Sequence, residues 1–185
     1  MITPTHVVTN AFVARRARGN GGGFIGDKPG WFVLGGLAPD VGLTLMTAGA
    51  AVYFPAFEDM TMQEAMEHAF GTLFFEDPIW ITVQNTFHSP VVLAGLFALG
   101  KVTKSNKLMA FAAGAMLHTA MDIPVHHNDG PLVFFPFNWD YRFDSPVSYY
   151  DRDFYGGIVA PVDMAMTVLG GGYLARQWWK NRSFF

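Results

Sequence analysis

Histidine and aspartate recur in this chain at positions that lie deep inside apolar sequence. His118 and Asp122 stand four residues apart in the stretch 108–125, so on a helix both project from one face and can meet a single ion. Asp40 follows Pro39 within the stretch 31–54, and His88 lies at the corresponding depth of the stretch 79–100. An ionisable side chain at mid-membrane depth is costly, so it faces a bundle interior with a partner and marks a functional site. Together the four supply two imidazoles and two carboxylates, a donor set suited to Zn²⁺ or Mn²⁺. The competing reading is a set of buried hydrogen bonds that join helices. Four such residues at one level favour the metal.

His6 and the pair His126 and His127 are candidates for a second ion, with Asp129 just beyond them. One or two divalent ions held in this way would lower the pKa of a water, and the resulting hydroxide attacks a phosphoryl or carbonyl centre. His127 or Asp129 is then placed to protonate the leaving group or to hold the second ion. Adjacent residues on a helix point about 100° apart, and the sequence leaves open whether His126 or His127 is the ligand. Asp163, in the stretch 157–179, reads either as a head-group contact or as a partner behind a ligating histidine.

Positioning these residues falls to four apolar stretches, 31–54, 79–100, 108–125 and 157–179, each near the roughly 20 residues that a bilayer requires. None shows the polar stripe of a soluble helix. Basic residues cluster at Arg15, Arg16, Arg18 and Lys28, at Lys101, Lys104 and Lys107, and at Arg176, Lys180 and Arg182. These clusters alternate with two acidic loops, 55–78 and 126–156. Loops rich in Lys and Arg stay cytoplasmic, so the pattern predicts four spans, both termini cytoplasmic, in a bacterial inner membrane.

The expected fold is a single membrane domain, 1–185, an all-α four-helix bundle with a short N-terminal helix and an interfacial helix in the first outer loop. The first of these runs from Thr5 to Arg16, with Pro4 suited to its start. Since Arg15 and Arg16 follow the apolar residues rather than precede them, this segment does not read as a secretory signal. In the loop, Thr61-Met62-Gln63-Glu64 has the spacing of a capping box, and Met62, Ala65, Met66, Ala69, Phe70, Leu73 and Phe74 follow at helical intervals. The second loop is dense in rings, among them Phe134, Phe137, Trp139, Tyr149 and Tyr150, and reads as an aromatic belt at the outer interface.

Composition excludes other classes. Of 185 residues, 51% are hydrophobic and 15% charged, against roughly 25% charged in an average soluble domain. Mean hydropathy is +0.22 and the net charge is -3. Without cysteine there is neither a disulfide framework nor a thiolate cluster, and without a basic stripe there is no footprint for nucleic acid.

Short motifs carry a resemblance. Thr5-His6, Leu37-Ala38-Pro39-Asp40, Phe87-His88-Ser89, Leu117-His118-Thr119-Ala120-Met121-Asp122 and the later Pro136-Phe137, in that order, resemble the YdjM-like membrane-bound metal-dependent hydrolases. More distantly the chain is similar to the zinc-dependent phospholipases C and S1/P1 nucleases. That likeness implies His6, Asp40, His88, His118 and Asp122 as metal ligands, with Asp122 bridging two ions. The later His-x-x-x-Glu of those enzymes has no counterpart, because Gly130 and Pro131 stand four residues beyond His126 and His127. The His-Arg that precedes Thr-His-Ser in the YdjM-like pattern is also replaced, by Val83-Gln84-Asn85-Thr86-Phe87 before His88 and Ser89.

The function expected is hydrolysis of a membrane-associated substrate such as a phosphodiester lipid, with membrane lipid as the partner. The alternative is an accessory subunit of a larger membrane complex, keeping the hydrolase-like fold and packing through small-residue runs such as 110–115 and 170–172. Proton or ion translocation ranks last, since four spans make a narrow bundle and the sequence shows no broken-helix repeat.

Overall fold

The computed structural model describes residues 1–181. Among them the fold is all-helical, and the only extended pairing is an isolated bridge between Leu132 and Arg142. Arg182, part of the last basic cluster, lies outside the described residues.

Three helices are long and apolar enough to cross a membrane: α3 (Pro29–Phe57), α8 (Asn106–Asp122) with its short 3₁₀ continuation to Val125, and α9 (Gly156–Asn181). The segment 79–100 is not one helix but two, α6 (Pro78–Thr86) and α7 (Pro90–Val102). Pro90 is the physical cause, because the residue before a proline is driven out of the helical region. Ser89 accordingly has φ -71° and ψ 123°. An unbroken hydropathy profile hides this interruption, which falls at His88.

Helix starts follow local chemistry. Proline occupies the first turn of α1 (Thr3–Gly19), α3, α6 and α7, where its missing N–H costs nothing. The Asp77 carboxylate accepts from the N–H groups of Ile79 and Trp80 to cap α6, and the Ser105 hydroxyl accepts from Leu108 N to cap α8. The capping box of Thr61 and Glu64 is present at the start of α4 (Met62–His68). A π-helical turn, Ala69–Leu73, and the short α5 (Phe74–Glu76) continue it. Nearer the N-terminus, α2 (Gly23–Asp27) links α1 to α3.

The apolar face expected on the first loop divides. Met66, Ala69 and Leu73 pack with Ala50 of α3 and Trp80 of α6, whereas Met62 and Phe70 remain exposed.

Helices α3 and α8 form the spine. They run parallel, since Phe32 lies against Gly114 and Gly36 bonds to His118, both partners advancing together along the chain. Their backbones touch: a Cβ on Gly35 would stand 2.0 Å from the Phe111 carbonyl oxygen, and one on Gly114 the same distance from that of Phe32. Small residues permit such an approach, and in a membrane bundle the packing it creates is the main attraction between helices.

The fourth position beside this spine is taken by α1, which is longer than the Thr5–Arg16 expected. Thr5, His6, Asn10 and Ala14 make its buried face. Asn10 fits against Gly36 and Gly114, where any Cβ would collide with its amide. Helix α9 packs on α1 through the Thr5–Thr167 hydroxyl pair at 2.6 Å and through Gly170 against Val8. The rest of α9 is exposed, with Leu169 at 73% and Ile158 at 66%. The spans therefore do not pack simply against one another: a polar helix is inserted between α9 and the rest.

Candidate metal centre

Four helical elements bring their buried polar residues to one place. Helix α8 carries Asp122 on its last residue and His118 one turn earlier, both buried. Its parallel neighbour α3 brings Asp40 alongside, and the break between α6 and α7 delivers His88. The buried face of α1 adds His6. The segment 126–156 folds back over this end through Leu132 N donating to Asn85 Oδ1 at 2.8 Å and Ser89 Oγ donating to the Phe135 carbonyl at 2.6 Å. It brings His126 and Asp129 with it.

Four donor atoms form a compact set. His118 Nε2 lies 3.0 Å from Asp122 Oδ2 and 3.5 Å from Asp40 Oδ1, and His88 Nε2 lies 3.8 Å and 3.7 Å from the same two oxygens. Ligands about 2.0–2.1 Å from a tetrahedral zinc stand roughly 3.4 Å apart, and these four histidine–aspartate separations lie near that value. Orientation agrees. His88 Nδ1 bonds to the Gln84 carbonyl at 2.7 Å and His118 Nδ1 to the Gly36 carbonyl at 2.8 Å. A carbonyl accepts only from N–H, which fixes a proton on Nδ1 and turns Nε2, the atom a metal would meet, inward.

Burial points the same way. Asp40 Oδ2 is buried without a hydrogen bond, and an orphaned polar atom costs about 1–3 kcal/mol when its partner is missing. His6 Nε2 and His118 Nε2, also buried, each face an Asp122 oxygen at 3.0 Å.

No family model, curated protein or solved structure matches the chain. The candidate site therefore stands on its geometry. Two overlapping triads could each hold an ion, His6 with His118 and Asp122, and Asp40 with His88 and His118, the ligating atoms of each lying within 4.8 Å of one another.

A further set of donors surrounds the other oxygen of Asp122. Oδ1 lies 3.0 Å from His6 Nε2 and 3.4 Å from His126 Nε2, and 2.7 Å from the Met1 nitrogen. Behind His126, Asp129 Oδ2 stands 3.2 Å from Nδ1, the arrangement by which a carboxylate orients a ligating imidazole. Burial disfavours the charged form of His6 more than Asp122 favours it, so its pKa lies below the ordinary histidine value. A neutral imidazole is the form that binds metal.

Of the residues singled out in the sequence, His6, Asp40, His88, His118, Asp122, His126 and Asp129 come together. His127 does not join them. Its Nδ1 bonds to the Ser145 carbonyl at 2.6 Å, Asp144 stands 3.2 Å away, and its ring stacks on Phe154 at 3.5 Å. Neighbouring residues diverge, and only His126 turns toward Asp122. Asp163 is buried on α9, where its carboxylate accepts from Ile2 N at 2.8 Å at the start of α1. Instead of contacting a ligating histidine, it anchors the helix that carries one.

The centre opens into a cavity of about 590 Å³ lined by Asp40, His88, Asp122, His126 and Asp129 on one side. Tyr149, Tyr150 and Gln84 also line it. No local sequence signal marks these three, because they arrive from a loop and from the rear of α6. Burial, reinforced by Asp129 and Asp122, pushes the Tyr149 phenol up to about 12. It is a neutral hydrogen-bond donor throughout the physiological range.

Proposed function

We propose that this chain is a membrane-embedded metal-dependent hydrolase of the YdjM-like kind, acting on a membrane-associated substrate such as a phosphodiester lipid. The observation that carries the reading is the four-donor set of Asp40, His88, His118 and Asp122, with spacing suited to a zinc-sized ion. A bound divalent ion supplies Lewis acidity and a water acidic enough to ionise near neutral pH.

The protein's own groups do the rest. The Gln84 and Gly36 carbonyls hold both imidazoles with Nε2 inward. Asp122 offers one oxygen to each half of the site, so a second ion beside His6 and His126 is part of the proposal. Asp129, which lines the cavity beside His126, is the group placed to move a proton at the leaving side. Tyr149 lines the cavity as a neutral phenol.

In the membrane, α6 and α7 together complete the fourth crossing. The basic ends of α1 and α9 face the cytoplasm of a bacterial inner membrane, and the site lies in the outer half. The decisive experiment is turnover of phosphodiester lipids in mixed vesicles by wild type and by His88→Ala. Metal-dependent hydrolysis lost in the variant supports the reading, and inactivity of a metal-loaded wild type on every lipid tested rejects it.

A second reading, an accessory subunit, is favoured by one observation. Helix α9 is covered only along α1, and Phe137, Tyr155 and Trp179 are exposed at 86%, 62% and 66%. Under that reading the chain co-purifies with membrane partners and His88→Ala leaves their assembly intact.

A further inference from the structure

The lining of the cavity is of two kinds. One is the cluster of histidine and aspartate. The other is Leu43 of α3 with Phe70, Phe74 and Phe75, the rings carried by the π-helical turn and by α5. The only polar side chain lining it beside Leu43 on α3, apart from Asp40 itself, is that of Thr44, whose hydroxyl belongs to its own helix and donates to the Asp40 carbonyl at 2.8 Å. π-helical turns are frequent at functional sites. This one sets Phe70 and Phe74 6.3 Å apart on one wall.

Arg142 closes the back of that wall, its guanidinium 5.2 Å and 5.3 Å from the Phe74 and Phe75 ring centres while it donates to the Gly130 carbonyl. The wall is thereby held in place from behind. Pro4, Thr44, Phe70, Phe75 and Tyr150 line the cavity and are exposed, so they mark its mouth. Phe70 and Phe75 are at that mouth with 43% and 40% of their surface exposed, beside helices whose other faces are apolar and uncovered. The volume falls within the roughly 300–1,000 Å³ of ligand cavities.

From this we infer that the site takes an amphiphile, its hydrocarbon tail lying along Leu43, Phe70, Phe74 and Phe75 while its polar head reaches the histidine and aspartate cluster. The inference deepens the hydrolase reading, since it names how a membrane substrate would be held. It needs no chemistry to have occurred. A polar lining alone would fit a soluble metabolite; an apolar wall continuous with it is of use only to a ligand that has both characters.

Photo-labelling tests it. The full chain, in lipid nanodiscs, is irradiated with a long-chain alkyl phosphate bearing a diazirine near the chain end, and labelled peptides are identified by mass spectrometry. Labelling is expected on the segments containing Leu43 and Phe70–Phe75, competed by unlabelled alkyl phosphate and not by inorganic phosphate. Leu43→Trp, which fills the apolar part, and Phe75→Asp, which charges an exposed position of the wall, should each reduce that labelling about tenfold or more. Metal content should stay at the wild-type level in both.

Labelling spread evenly over the exposed faces of α3 and α9, or unchanged in both variants, overturns the inference. Competition by inorganic phosphate alone also overturns it. Turnover is scored separately on the same nanodiscs: specific labelling without hydrolysis would reject the hydrolase reading and leave this inference standing, and hydrolysis of a soluble phosphodiester without cavity labelling would do the reverse.

Discussion

His6 and His118 stack ring on ring, with centroids 3.6 Å apart and planes inclined by only 16°, yet their Nε2 atoms address different oxygens of Asp122. His118 lies 3.0 Å from Oδ2 and His6 lies 3.0 Å from Oδ1. Two protonated imidazoles would repel at such a distance, so the stack does not hold both rings charged at once. One carboxylate thus joins two sets of donors, and a two-ion site depends on that bridge.

Asp122→Asn keeps the shape and removes the charge. Outer-layer substitutions typically weaken metal binding about 10–100-fold, and loss of a bridging ligand should exceed that. Chelator competition on the purified full chain measures it; affinity within a few-fold of wild type would count against the bridge.

Among the candidate ligands, Asp129 pairs with His126. Asp129→Asn should weaken one class of bound metal about tenfold, the low end of effects seen when the partner of a ligating histidine is changed. The carbonyl-oriented pair His88 and His118 should retain its ion. His127→Ala should leave metal content as it is, because its contacts are Ser145, Asp144 and Phe154. Isothermal titration with Zn²⁺ separates the two classes.

The contact between α3 and α8 has no room. Gly35→Ala or Gly114→Ala places a methyl 2.0 Å from a backbone oxygen, and overpacking of this kind costs about 1–3 kcal/mol. The midpoint of thermal unfolding, followed by tryptophan fluorescence, should fall accordingly, with metal affinity reduced as Asp40 moves from His118. Gly49→Ala is the control, since nothing lies within 4 Å of its added Cβ.

Tyr149 makes stability depend on alkaline pH. Its folded pKa of about 12 lies above the roughly 10 of a free phenol, so the folded state holds a proton that the unfolded chain releases. Its contribution is complete below pH 10 and is lost as pH rises toward about 12. Chemical denaturation across that window should show a steeper decline for wild type than for Tyr149→Phe.

The candidate ligands stand out in the sequence because a carboxylate or imidazole inside an apolar run is costly unless a partner or an ion meets it. Asp40, His88, His118 and Asp122 declare themselves in that way, and the i, i+4 relation of the last two is preserved on α8. The choice between His126 and His127 was not legible, since it depends on the turn that follows Val125 and on Ser145 arriving from a distant loop. Nor was the central place of α1. Its polar residues suggest a surface helix by composition, and only the glycines at 36 and 114, on two other helices, make space for Asn10. The break at His88 was visible as Pro90 but was outweighed by the apolar residues on both sides. Tyr149 and Tyr150 reach the cavity through a fold of the outer loop that no local pattern records.

Metal content bears most directly on the site. The full chain, purified without added metal or chelator and shown to be folded by circular dichroism, is analysed by inductively coupled plasma mass spectrometry beside His118→Ala. About one to two equivalents of a divalent transition metal are expected in wild type, zinc first among them, with most of it lost in the variant. A metal-free, folded wild type that takes up no Zn²⁺ or Mn²⁺ on titration would contradict the assignment of Asp40, His88, His118 and Asp122 as ligands.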